Sequence, residues 1–241
     1  MIKRIYKDGF TLAEVLITLG IIGIVAAMTL PGLINKYEKN VTVNVLKKKY
    51  TNFNEALNML KADKDVTQIF SIGNCEDVHQ AILPYLGILS SCNLPPSNCW
   101  NDTSAPTDIS GNKLFTDPND GSRGYMLSDG SILVLRCWGA GLGFTIDVNG
   151  TKKPNRDGRD IFRFYLFSRE ACFNNGDCAG SQLTTQKDGV LYAGSYGPNY
   201  ITFSTLSRDE LLQDWCNKTN SLGCTDLIVI DGWEIADDYP W

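Results

Sequence analysis

The chain changes character sharply at its ninth residue. Up to Gly9 it carries Lys3, Arg4, Lys7 and Asp8; from Phe10 to Leu30 it runs 21 residues with Glu14 as the single charge. At about 1.5 Å per residue, a helix of that length is roughly 30 Å long, the thickness of a bilayer core. The basic flank predicts a cytoplasmic N-terminus and export of everything beyond Pro31. Pro31 cannot donate a backbone hydrogen bond, so a kink is expected there, with Gly32 adding slack. Gly23 and Ala27 form a small-xxx-small pair that lets neighbouring helices approach closely.

Past Pro31 the pattern becomes amphipathic. Ile34, Tyr37, Val41, Val45, Tyr50, Phe53, Leu57 and Leu60 recur mostly at steps of three and four, opposite Lys36, Lys39, Asn44, Lys47, Lys48 and Asn54. One helix to about Ala62 is predicted, its outer half packing on a domain. The run Lys47-Lys48-Lys49 reads as a solvated face. From residue 64 onward the pattern is β-rich. Asp129-Gly130 joins two strand-like runs in a hairpin signal. Further strands are expected at Phe144–Val148, Asp160–Phe167, Val190–Ala193 and Leu227–Ile230, with a short helix within 76–88. Ser90–Gly124, rich in Pro, Asn, Asp, Ser and Gly, reads as a long loop.

Composition narrows the function classes. A net charge of −5 argues against nucleic acid as a partner. Eight cysteines, Cys75, Cys92, Cys99, Cys137, Cys172, Cys178, Cys216 and Cys224, all follow the apolar segment. Their even number predicts disulfides in an oxidising compartment, with buried free thiols as the alternative. There is no CxxC pair and a single histidine, so a zinc or thioredoxin-like site is poorly supported. No GxSxG, HExxH or P-loop is present, and the chain is not expected to be an enzyme. His79 reads as a surface or half-buried residue.

A cleaved secretory signal would have a shorter apolar core, and a plain anchor would explain neither Glu14 nor the border at Gly9-Phe10. That border, Lys7-Asp8-Gly9-Phe10-Thr11-Leu12-Ala13-Glu14, with its apolar run and Pro31, resembles the class III signal of the type IV pilin and type II secretion pseudopilin family. The resemblance covers about the first 35 residues; Asp8 is an uncommon residue in such a leader. It implies cleavage by prepilin peptidase between Gly9 and Phe10 and N-methylation of Phe10. It also implies filament assembly in which Glu14 pairs with the terminal amine of a neighbouring subunit. That pairing would offset the several kcal/mol that a carboxylate in a bilayer costs. The alternative is an acid held only by the helix dipole and interfacial water.

The expected fold is α+β and pilin-like: a long N-terminal helix, half membrane-spanning and half amphipathic, packed on an antiparallel, loop-rich domain. The expected organisation is a leader at 1–9, a helix at 10–63 with its span at about 10–30, and an extracytoplasmic domain at 64–241. The expected protein is a structural subunit of a type II secretion pseudopilus or type IV pilus-like filament, single-pass in a bacterial inner membrane. Its partners would be other subunits, prepilin peptidase, an inner-membrane assembly platform and the lipid bilayer. A membrane-anchored extracellular binding protein or adhesin is the rival from another class. No cofactor is expected. The loop holding Asp147, Asn149, Asp157 and Asp160 offers oxygens for a structural calcium ion, but its spacing is not an EF-hand's, and a hydrogen-bonded structural loop is the preferred reading. Trp233, Tyr239 and Trp241 in the tail are expected to cap the core.

Overall fold

The computed structural model describes residues 9–63, 75–101, 104–138, 141–167, 190–194 and 206–241. Helix α1 runs unbroken from Leu12 to Asp63 and passes through Pro31. By internal contacts the chain divides into Met1–Val41 and Thr42–Trp241. In the first unit the apolar side chains of α1 are exposed, and none of its most apolar 18-residue window is buried.

In the second unit, α2 (Cys75–Ile82) continues into a 3₁₀ turn (Leu83–Tyr85). A six-stranded sheet follows: β1 (Ile88–Ser91), β2 (Arg123–Leu127), β3 (Ile132–Trp138), β4 (Gly141–Asp147), β5 (Ile161–Phe167) and β6 (Leu191–Ala193). Every pairing is antiparallel and joins neighbours in sequence. Short connections join β2 to β3 and β3 to β4, while longer segments lead into β2, β5 and β6. At the β2–β3 hairpin, Gly130 takes φ 84°, its N–H bonds Leu127 O, and Leu127 N–H bonds Ser131 O. Only a residue tolerant of positive φ closes such a turn cheaply.

Alternation along the strands gives the sheet two faces. Leu133, Ile146 and Phe162 align in one cross-strand row, and Leu135, Phe144 and Phe164 in the next. These rows meet the outer half of α1. Phe53 lies 5.3 Å from Phe144 and 6.1 Å from Phe164, ring to ring, and Tyr50 lies 5.5 Å from Phe164. The buried positions of α1 are Val43, Leu46, Lys49, Phe53, Ala56, Leu57 and Leu60. The core stripe therefore differs from the expected one: Ile34, Tyr37 and Val41 are exposed, while Val43, Leu46 and Ala56 join Phe53, Leu57 and Leu60. The apolar periodicity continued past the point where the sheet provides a partner.

Lys49 also departs from expectation. It is buried, and its ammonium donates to Asp129 Oδ2 and Ser131 Oγ, both at 2.5 Å. A lysine inside the core stripe is satisfied because the hairpin turn places a carboxylate above it, a neighbour no local pattern announces.

The opposite face carries a second, smaller core of Ile132, Val134, Cys99 and Trp100, with Phe115 against it. It is built by the loop between β1 and β2, which holds a 3₁₀ turn at Pro96–Cys99. Beyond the sheet, α3 (Arg208–Glu210) runs into a π-helical turn (Leu211–Trp215), and α4 spans Cys224–Ile230. The strand expected at Leu227–Ile230 is thus a helix. Cys224, Leu227 and Ile228, at helical spacing, are all buried. A four-residue apolar run fits either period, and the tight packing of Gly223 against Leu211 and Trp215 decides the case: an added Cβ would lie 2.7 Å from Trp215 Cβ. In the tail Tyr239 is buried, and Trp233 and Trp241 pack against the main core.

Candidate functional site

The most informative chemistry sits where α1 begins. Thr11 precedes the first helical residue, Leu12, and Glu14 falls in the first turn. Helix starts leave N–H groups without intrahelical acceptors. Here Glu14 N–H bonds Thr11 Oγ1 at 3.2 Å, and Glu14 Oε2 accepts from Thr11 N–H at 2.8 Å and from the Thr11 hydroxyl at 2.9 Å. This is a reciprocal capping box. Its Thr-x-x-Glu spacing is visible in the sequence, yet the processing motif explains both residues without it. Among the described residues, the carboxylate's bonds fall on Oε2. An ionised carboxylate has about four acceptor positions, so Oε1 keeps its capacity for a cation. The cap to Thr11 thus engages Oε2. Gly9 and Phe10 lie just before the helix and are exposed, Phe10 by 91%. The peptide bond between them is outside regular structure. Pro31 and Gly32 lie within the continuous helix.

Among the described residues the second unit carries three disulfides: Cys75–Cys137, Cys92–Cys99 and Cys216–Cys224, with Cα separations of 5.6, 5.3 and 4.7 Å. The second is a local bridge within the first part of the β1–β2 loop, and the third is likewise local, with separations of 7 and 8 residues. Cys172 and Cys178 lie outside the described residues. Glu76, His79 and Cys137 bring ligand-type atoms within 4.8 Å of one another, but the sulfur is committed to the Cys75 bridge. His79 is fully buried rather than half-exposed, and its Nε2 meets the Tyr125 hydroxyl at 2.9 Å. Burial lowers its pKa, partly opposed by the Glu76 charge.

The acidic loop is a hydrogen-bonded knot. Asp147 accepts from Trp100 Nε1 at 2.8 Å and from Asn149 N–H at 3.1 Å. Asp160 accepts from Asn155 N–H, Arg156 N–H and Asn149 Nδ2 at 2.8, 2.6 and 3.1 Å. Asp157 instead pairs with Arg163 at 2.5 Å and accepts from Ser221 Oγ at 2.7 Å. Burial and the charge on Asp160 push Asp147 up to about 8 against the pull of its N–H donors. The four oxygen-bearing residues singled out for calcium are thus spread over two hydrogen-bonding groups, with N–H donors occupying the carboxylates of the first.

Residues 5–30 match the family model of the prokaryotic N-terminal methylation motif. Neither the curated proteins nor the solved structures compared with the chain gave a match. The matched segment contains Gly9, Phe10, Thr11 and Glu14 and most of the apolar run. The chain therefore carries a class III prepilin-type signal ahead of an α+β fold. That signal is the mark of the pilin and pseudopilin family, whose members are processed by prepilin peptidase and assemble with other pilin subunits.

Proposed function

We propose that the protein is a structural, non-catalytic subunit of a type II secretion pseudopilus or type IV pilus-like filament. It is inserted once in the inner membrane with residues beyond the span outside the cytoplasm. Prepilin peptidase cuts between Gly9 and Phe10, Phe10 is methylated, and an inner-membrane platform moves the subunit into the filament. The observation that carries this reading is the conjunction at the helix start: a Gly9-Phe10 pair outside the helix, and four residues after Phe10 a carboxylate in the first turn at the head of an apolar run. The new terminal amine on Phe10 of one subunit supplies the cation that Glu14 of the next needs.

Two experiments test it. Mass spectrometry of protein from its host should show an N-terminus at methylated Phe10; an intact Met1, or a cut near Met28, overturns the assignment, and a membrane-anchored adhesin needs neither cut nor methyl group. The second separates docking from capping. Glu14→Gln keeps an acceptor for Thr11, since Gln serves a capping box as Glu does, but has no charge. Docking predicts that Gln and Val variants insert and are processed yet yield few cross-linked multimers, with Glu14→Asp between them and wild type. If Gln assembles like wild type, Glu14 is a helix cap and nothing more.

A further inference from the structure

The outer face of the sheet holds a cavity of about 260 Å³ between β3–β5 and the β1–β2 loop. At about 30 Å³ per liquid water, that is room for one ring-sized organic molecule. The strand register explains the space. Arg136, Gly143 and Tyr165 form one cross-strand row, and Val134, Thr145 and Arg163 the next. Gly143 puts no side chain between its larger neighbours, and its absence leaves the hollow.

The walls are held in place. Arg163 is fixed from beneath by the buried Asp157. Phe115 lines the rim with φ 57°, a conformation a bulky residue rarely adopts. It stacks on Trp100 at 6.1 Å and 9°, and Trp100 is in turn fixed by its N–H bond to Asp147. Such pre-organisation lowers the ordering cost of binding. The charges are matched: Arg163 with Asp157, and Arg136 with Asp120 at 3.5 Å. An anion would have to compete with those carboxylates. A neutral polyol would not. One of its hydroxyls can donate to Asp120 and accept from Arg136, which sit side by side, while Thr145 adds a group that does both. The aromatic wall offers a surface for the ring's C–H edges.

We propose that this pocket binds a single neutral pyranose unit of a glycan, a function separate from the filament role and independent of it. The test uses full-length processed protein in lipid nanodiscs, free of sugar detergents. Saturation-transfer difference NMR is run with the methyl glycosides of glucose, galactose, mannose and N-acetylglucosamine, and with glucuronate and methyl phosphate as anionic probes. At least one neutral glycoside should give saturable transfer at millimolar concentration. Gly143→Val, whose side chain enters the hollow on a strand that accepts β-branched residues, should weaken it by roughly tenfold or more. Thr145→Val, nearly isosteric, should weaken it severalfold and supplies the readout if the bulkier variant misfolds. No transfer to any neutral glycoside, stronger transfer to glucuronate or methyl phosphate, or equal binding by wild type and both variants would each overturn the proposal.

Discussion

The buried lysine on α1 makes an asymmetric prediction. Lys49 is 3% exposed at its side chain, whereas its partner Asp129 is 45% exposed. Asp129→Asn is close to isosteric and keeps an oxygen for the Ser131 N–H and hydroxyl, which Asp129 Oδ1 accepts at 3.2 and 2.7 Å. It nevertheless leaves an ammonium in the core with Ser131 as its remaining partner among the described residues. Breaking a buried pair this way costs about 3–5 kcal/mol, and because water reaches Asp129 we expect about 2. Lys49→Met removes the buried charge and leaves Asp129 solvated, so its cost should be about 1 kcal/mol or less. Burial alone would raise the Asp129 pKa, but the bonds from Lys49 and Ser131 prevail and hold it at about 2, against 3.8 for the free side chain. A depressed carboxylate contributes stability that is present above its unfolded pKa and lost as pH falls through the folded one. Wild type should therefore lose about 1 kcal/mol, after discounting for exposure, between pH 4 and pH 2, and Lys49→Met should not. Urea unfolding of the processed, disulfide-intact protein, followed by circular dichroism across that pH range, measures both effects. If Lys49→Met proves as damaging as Asp129→Asn, or both variants keep the wild-type acid slope, the electrostatic argument fails.

The disulfides should differ by loop length. Removing Cys75–Cys137, which closes 62 residues, should cost about 4 kcal/mol, and removing Cys92–Cys99, which closes 7, about 2; paired Cys→Ser variants in urea titrations check the order, and equal costs would refute the chain-entropy reasoning. His79, with its pKa lowered chiefly by burial, should make stability fall as pH drops below 6.5, because the unfolded chain then binds the proton more readily. His79→Phe should flatten that slope, whatever it does to stability at pH 8; a slope unchanged in the variant would assign it to another group.

The apolar segment and the prepilin-type signal are local facts. A polarity step, a glycine before a phenylalanine, one acid at a fixed offset and 21 apolar residues need no tertiary partner to be recognised, and each was legible in the chain. The hairpin at Gly130 and most of the strands were legible for the same reason, since turn chemistry and alternation act over a few residues. What the sequence could not decide depended on distant neighbours. The face of α1 that is buried is set by where the sheet lies, so Val43 and Leu46 are core while Ile34 and Tyr37, equally apolar and equally periodic, are not. Lys49 looked like one of three solvated lysines until a turn 80 residues away met it. Leu227–Ile230 is a helix because Gly223 lets it close against the preceding turn, which its own four residues do not encode. His79 is buried because α2 lies on the sheet near Tyr125. Local chemistry determines which elements form and how the N-terminus is marked; the long-range packing that selects faces, pairs charges and hollows the pocket exists only once the sheet has closed.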